Sequence, residues 1–215
     1  YDGGVAGLLE RVTDHLADPP SWLPRQRFWT LRARSTILAT GALERHIAFG
    51  NNDRPGAMTA NAGRAYLNRF AVQPGENIVV ATNNDSAYAS ASDLASSGAR
   101  VVVLDSRSSV PGTLQSLCEA GDIQLRLDSA PAKVLGGKAV AGLQLAQRQG
   151  VGWQSSDRID CDLILVSGGW SPVVNLFSHR GVKPIWNSEL ACFLAPACEE
   201  AILAAGSAAG IWDHE

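Results

Sequence analysis

Three stretches of the 215-residue sequence end an apolar run in small residues: Ala39-Thr40-Gly41-Ala42, Ser167-Gly168-Gly169 and Gly206-Ser207. Glycine at a strand end removes the Cβ that would stand between backbone and ligand, and free N–H groups at a helix start suit phosphate oxygens. That is the chemistry of dinucleotide binding, and these residues are the candidate cofactor contacts. Ligands of open α/β sheets collect where strands present their carboxyl ends, so the three endings are expected to meet at one crevice. Each alone is an ordinary tight turn, and their joint occurrence is what favours a site.

A fourth stretch, Thr82-Asn83-Asn84-Asp85-Ser86-Ala87, occupies the strand-to-helix turn where a G-x-G-x-x-G fingerprint would cradle a pyrophosphate. Laid over that fingerprint it offers Thr82, Asn84 and Ala87, so only the last position stays small. The Cβ atoms of Thr82 and Asn84 would crowd a phosphate, and the loop is expected to be vacant, its short polar side chains capping the following helix and bonding the local backbone; the alternative is that the Asn side chains replace glycine amides as phosphate donors. Asp105 stands where a ribose-binding acid belongs, and an acid there is equally an ordinary strand-end residue. Other constellations are weaker. His15, His46, His179 and His214 have no metal spacing, and no metal site is expected. Ser167 lacks the Gly-x-Ser-x-Gly elbow of a hydrolase. Cys118, Cys161, Cys192 and Cys198 form no C-x-x-C, so reduced structural thiols are expected rather than a zinc ribbon or a disulfide reductase.

The elements needed to position these residues follow from periodicity. Val5, Leu8, Leu9, Val12 and Leu16 predict an amphipathic helix, stopped at Asp18-Pro19-Pro20. Strands are expected at 28–31 and 35–39, a helix at 59–70, and strands at 78–81 and 101–105 around a helix at 86–97. A helix at 113–120 and a strand at 123–127 continue the alternation, which is that of a mononucleotide-binding βαβ fold. Gly136-Gly137 joins two runs as a hairpin, and one strand is expected from Arg158 to Val166. The turn chemistry of 50–56 marks a domain crossing. The fold class is therefore α/β, with residues 1–52 and 150–215 forming an incomplete outer dinucleotide-binding domain around an inserted Rossmann-like domain, 53–149.

Ala39 to Ala42 with Glu44-Arg45, the stretch from Asp162 to Pro172, and Ala205-Gly206 resemble signatures of the two-dinucleotide-domain flavoproteins. Asn51 to Gly56, Tyr66-Leu67-Asn68-Arg69, Thr82 to Tyr88, and Ser167 to Pro172 with Leu176-Phe177-Ser178 narrow the resemblance. Together they are similar to the alpha subunit of heterotetrameric sarcosine oxidase, along almost the whole chain. The resemblance implies an enzyme complex that oxidatively demethylates sarcosine to glycine, releasing a one-carbon unit and reducing oxygen to hydrogen peroxide. It implies NAD in the outer domain, FMN at the interface with the beta subunit, FAD in the beta subunit where the amine is oxidised, and gamma and delta subunits as further partners. The isolated fragment is then not catalytic. Ser207 stands where FAD enzymes of the superfamily carry Asp, which argues against FAD and suits NAD.

Composition fits this reading. Eighteen Lys and Arg against 21 Asp and Glu give a net charge of −3 with no basic block, so no nucleic-acid groove is expected. No apolar run approaches the roughly 18 residues of a membrane span. With no initiator Met and no secretory segment, the sequence is expected to be a cytoplasmic piece of something longer. Two other readings compete: a subunit of an opine or D-amino-acid dehydrogenase, and a non-catalytic module that serves only as a docking surface.

Overall fold

The computed structural model describes residues 4–178, 181–196 and 202–212. In chain order the first strands are β1 (Val5–Arg11), β2 (Gln26–Arg32), β3 (Thr36–Leu38), β4 (Ala42–Glu44) and β5 (Ala57–Thr59). Helix α1 (Ala60–Phe70), β6 (Asn77–Thr82), α2 (Ala87–Ser96), β7 (Arg100–Asp105), α3 (Gly112–Ala120) and β8 (Gln124–Arg126) follow. Next come β9 (Ser129–Leu135), β10 (Gly142–Gln149), β11 (Gly152–Ile159), β12 (Leu163–Ser167) and β13 (Trp170–Pro172). The chain closes with α4 (Asn175–Ser178), β14 (Ile185–Asn187), β15 (Cys192–Leu194), β16 (Ile202–Ala204) and a 3-10 turn at Gly206–Ala209. Two compact units result, one of residues 1–43 with 171–215 and one of residues 44–170.

The unit of residues 44–170 is built on a five-stranded parallel sheet in the order β5-β12-β6-β7-β8. Its central strands carry unbroken apolar runs, Ile78 to Ala81, Val101 to Leu104 and Leu163 to Val166, as strands covered on both faces must. Alternation decides which cover each residue meets. Ile78, Val80, Val101, Val103, Leu163 and Leu165 pack with Ala87, Tyr88, Ala91 and Leu94 of α2 and with Cys118 of α3. Val79, Leu104, Ile164 and Val166 face the other way, against Val134, Leu143 and Leu145 of the antiparallel sheet β11-β10-β9. Helix α1 approaches β12 closely because residue 63 is glycine. A Cβ there would stand 2.7 Å from Leu165 Cδ2.

β12 is the strand whose place differs most from expectation. The sequence reads 158–166 as one strand of the outer domain, whereas the run breaks at Asp160-Cys161-Asp162 into β11 and β12. The break has a physical reason: the Asp162 carboxylate accepts the N–H groups of Glu76 (3.0 Å) and Asn77 (3.0 Å), pinning the start of β6 beside β12. β12 then bonds along its length to β6, so residues 163–167 belong to the sheet of the insert. The crossings between units accordingly fall at 43/44 and 170/171, outside the turn at 50–56, which pairs instead with β9 through Gly50 and Ala132.

The other unit has a small core of Leu38, Val174, Phe177 and Ile202 under the parallel pair β3-β16. The helix expected over Val5–Leu16 is not formed. Residues 5–11 are a strand paired antiparallel with β2, Leu9 opposite Phe28 and Leu8 opposite Trp29. Glycine at position 7 makes room for that pairing, since a Cβ there would meet the Phe28 ring at 2.9 Å. Leu8, Leu9, Phe28, Trp29 and Leu31 of this ribbon are all exposed. So are Ile37 and Leu203, neighbours on the outer face of β3-β16, at 65% and 60%.

Candidate functional site

β3 and β16 run parallel, Ile202 beside Thr36 and Ala204 beside Leu38, and Ala205 N–H continues the ladder to Leu38 C=O at 3.1 Å. Their carboxyl ends are therefore neighbours, and the two glycine turns that leave them start side by side. Gly41 (φ +77°) and Gly206 (φ +59°) both take the left-handed backbone that favours glycine, and a Cβ at either would meet no atom within 4 Å. Ala39 and Thr40 are exposed and Ala42 and Ser207 half-buried. Thr40 is held by its own hydroxyl, which donates to Val173 C=O at 2.6 Å while Val173 N–H donates to Gly41 C=O at 3.0 Å. The result is an open stretch of backbone at a parallel strand end, fixed in place from one side. These residues fit the close approach of a dinucleotide.

Ser167, Gly168 and Gly169 lie in the unit of residues 44–170, at the carboxyl end of β12. Here the space is taken. A Cβ on Gly168 would stand 3.1 Å from Arg45 C=O and 3.2 Å from His46 C=O, and one on Gly169 (φ +91°) 2.6 Å from Arg45 Nη2. Gly168 N–H donates to Arg45 C=O at 2.7 Å, and Arg45 N–H to Gly169 C=O at 2.8 Å. These glycines let the segment of residues 45–47 lie against the sheet edge. Of the candidates, the structure thus brings together 39–42 and 206–207, and sets 167–169 in the other unit.

Ser167 is fully buried and takes two hydrogen bonds from Asn84 Nδ2, at its carbonyl (3.0 Å) and at Oγ (3.1 Å). The loop before α2 is closed by its own side chains. Thr82 Oγ1 accepts from Asn84 N–H (3.1 Å), and Asn84 Oδ1 accepts from Ser86 N–H (3.2 Å) and Ser86 Oγ (2.6 Å). Trp170 Nε1 donates to Ser86 Oγ at 2.8 Å.

The sequence reading missed Arg107. Asp105 is fully buried, and its carboxylate accepts Tyr88 O–H (2.9 Å), Arg107 N–H (2.9 Å), Arg107 Nε (3.0 Å) and Arg107 Nη2 (2.7 Å). Arg107 also reaches Asp85 at 2.6 Å. Burial, with the bond to Asp105, pushes the Tyr88 phenol well above its ordinary range. The bond to Asp105 holds the Arg107 guanidinium more firmly charged. The D-x-R spacing at the end of β7 was the available signal. Cys118 and Cys161 are buried free thiols, and burial pushes Cys161 up to about 12. Among the described residues, no three or more His, Cys, Asp and Glu gather as a metal site would need.

A parallel sheet with helices on one face and an antiparallel sheet on the other, inserted in chain order between the two segments of a second unit that has a parallel strand pair, defines a class. The fold is that of the two-dinucleotide-binding-domain flavoproteins. Thioredoxin reductase of T. acidophilum superposes with a TM-score of 0.65 at 14% identity, over 85% of this chain and 60% of that one. The particular resemblance comes from sequence: the chain is 39% identical over 97% of its length to sarcosine oxidase subunit alpha of Rhizobium meliloti (strain 1021). It is 37% identical over 99% of its length to the same subunit of Corynebacterium sp. (strain P-1). The resemblance read from the motifs is borne out, and the chain spans about a fifth of the length of these relatives. No protein-family model matches it.

Proposed function

We propose that this chain is the dinucleotide-holding part of a sarcosine oxidase alpha subunit, within a complex that oxidises sarcosine to glycine and reduces oxygen to hydrogen peroxide. The observation that carries this reading is the identity of 39% with the Rhizobium meliloti subunit along nearly the whole chain. The open backbone at Gly41 and Gly206 supports NAD in the unit of residues 1–43 and 171–215, held by Ala39 to Ala42 and by Gly206 and Ser207. NAD so bound supplies a hydride-accepting ring, and this chain's share is to position it. Ser207 in place of an acid favours NAD over FAD. In this reading the amine is oxidised on the beta subunit, where FAD sits. FMN lies between alpha and beta, and gamma and delta complete a cytoplasmic assembly.

A role in subunit contact is supported separately by the ribbon β1-β2, whose Leu8, Leu9, Phe28, Trp29 and Leu31 are exposed. Exposed apolar clusters of this kind mark protein contacts. Among the described residues no helix is long and apolar enough to cross a membrane.

The test is release and mass analysis of the cofactors carried by the purified complex, as wild type and as Gly41→Val. NAD present in the wild type and lost from the variant, with both flavins retained, is the expected result. NAD retained by the variant, or FAD released with the alpha subunit, overturns the assignment.

A further inference from the structure

We infer that the unit of residues 44–170 holds no dinucleotide, although its fold is one that does: the residues at the carboxyl edge of its parallel sheet are turned inward and lock the sheet instead. Ligands of such sheets sit outside the strand carboxyl ends, at the loop that opens the following helix. Here that loop is 82–87, and its groups are already used. Asn84 N–H is bound by Thr82 Oγ1, Ser86 N–H by Asn84 Oδ1, and Tyr88 N–H by Asp85 C=O at 3.1 Å. These are the amides a phosphate would need, alternating along the loop. The first two are tied further, because Asn84 is also bonded to Ser167 and Ser86 to Trp170, so a ligand that moved either side chain would disturb those bonds as well.

The ribose side is equally closed. A carboxylate offers about four lone-pair sites. Those of Asp105 are filled by the Tyr88 hydroxyl and by the N–H, Nε and Nη2 of Arg107, with no solvent exposure left. A ribose hydroxyl would have to displace a guanidinium that is itself anchored to Asp85. At the end of β12 the carbonyls of Arg45 and His46 with the Ile47 side chain fill the space beside Gly168, and the Arg45 guanidinium fills that beside Gly169. The residue types that elsewhere receive a nucleotide are present in part, and each is engaged with a neighbour. This inference stands apart from where NAD binds in the other unit.

Hydrogen–deuterium exchange on the full chain in its native complex, with and without millimolar NAD or NADP, tests it peptide by peptide. Exchange in peptides covering 82–88 and 105–107 is expected to be the same with either nucleotide. A severalfold slowing there overturns the inference. Slowing confined to 36–44 and 202–212 supports it, together with the NAD assignment above. No slowing anywhere also leaves unit 44–170 without a dinucleotide and removes only that assignment. As a second measurement, Asp105→Asn is expected to leave the nucleotide affinity of the complex unchanged, and a tenfold loss would contradict the inference.

Discussion

Arg107→Ala is the perturbation that probes the lock most directly. It removes three contacts from the Asp105 carboxylate, Nε at 3.0 and 3.2 Å and Nη2 at 2.7 Å, and leaves the Tyr88 hydroxyl and the backbone N–H of residue 107 in place. Removing one partner of a fully buried pair costs about 3–5 kcal/mol, because the remaining charge stays desolvated. Two features lower that figure. The Arg107 side chain is 31% exposed, so water reaches part of the site, and the carboxylate keeps two donors. The expected loss is therefore about 2–3 kcal/mol. The link to Asp85, whose side chain is 56% exposed, adds under about 1 kcal/mol. With a urea slope of about 2 kcal/mol per molar, Arg107→Ala should lower the unfolding midpoint by about 1–1.5 M, and Asp85→Asn by at most about 0.5 M. Adding Asp105→Asn to Arg107→Ala should recover part of the loss, since the stranded charge is then gone. Equal shifts for Arg107→Ala and Asp85→Asn, or no recovery in the double variant, would refute the reasoning.

Gly41→Ala puts a Cβ into open space at φ +77°. It should cost about 1 kcal/mol through backbone conformation alone, while NAD retention by the complex falls at least several-fold; unchanged retention places NAD elsewhere. Gly63→Ala should cost about 1–3 kcal/mol in thermal unfolding, because its methyl would overlap both Leu165 methyl groups. For Cys161 the sign is fixed by the thiol being raised from about 9 to about 12: the folded state holds its proton longer than the unfolded one. Stability from this group is complete below about pH 9 and is lost as the pH rises toward 12, and Cys161→Ala should flatten that part of a pH–stability curve. Asp93 runs the other way. Burial raises it, but bonds from Arg64 (2.6 Å) and Asn68 (2.7 Å) outweigh burial and lower it overall. Its contribution is present above the ordinary carboxylate range and lost on acidification, a loss that Arg64→Met should abolish in acid unfolding.

The alternation from α1 to β8 was legible because fully covered parallel strands announce themselves as unbroken apolar runs, such as Ile78 to Ala81 and Val101 to Leu104. The first element was misread for an equally physical reason. Val5, Leu8, Leu9 and Val12 match the spacing of a helix face, but the strand they form is exposed on both sides, so burial imposes no period of two. Gly4 and Gly7 were the contrary signal, both poor helix residues. The place of β12 was not readable at all, since its apolar run suits any buried parallel strand and only the pairing with β6 decides. At the site, the glycine turns at 41 and 206 were visible as residue types. The difference between open glycines there and packed ones at 168 and 169 depends on what the chain brings alongside, here residues 45–47. Asp105 was read as either a ribose-binding acid or an ordinary strand-end residue, and its actual surroundings lay in Arg107 and Tyr88, one of them 17 residues earlier in sequence.

The position of β12 has a consequence for the order in which the protein is made. It lies between β5 and β6, yet it leaves the ribosome about 80 residues after β6, which at 5–20 residues per second is a delay of about 4–16 s. Through that interval the inner edge of β6 has no strand beside it, and the backbone groups that will bond residues 163–167 are open to any other extended chain. β3 waits longer still, for β16. A nascent chain stalled anywhere between residues 83 and 162 would therefore expose an apolar strand edge, and this region should depend on uninterrupted translation, or on a chaperone holding that edge.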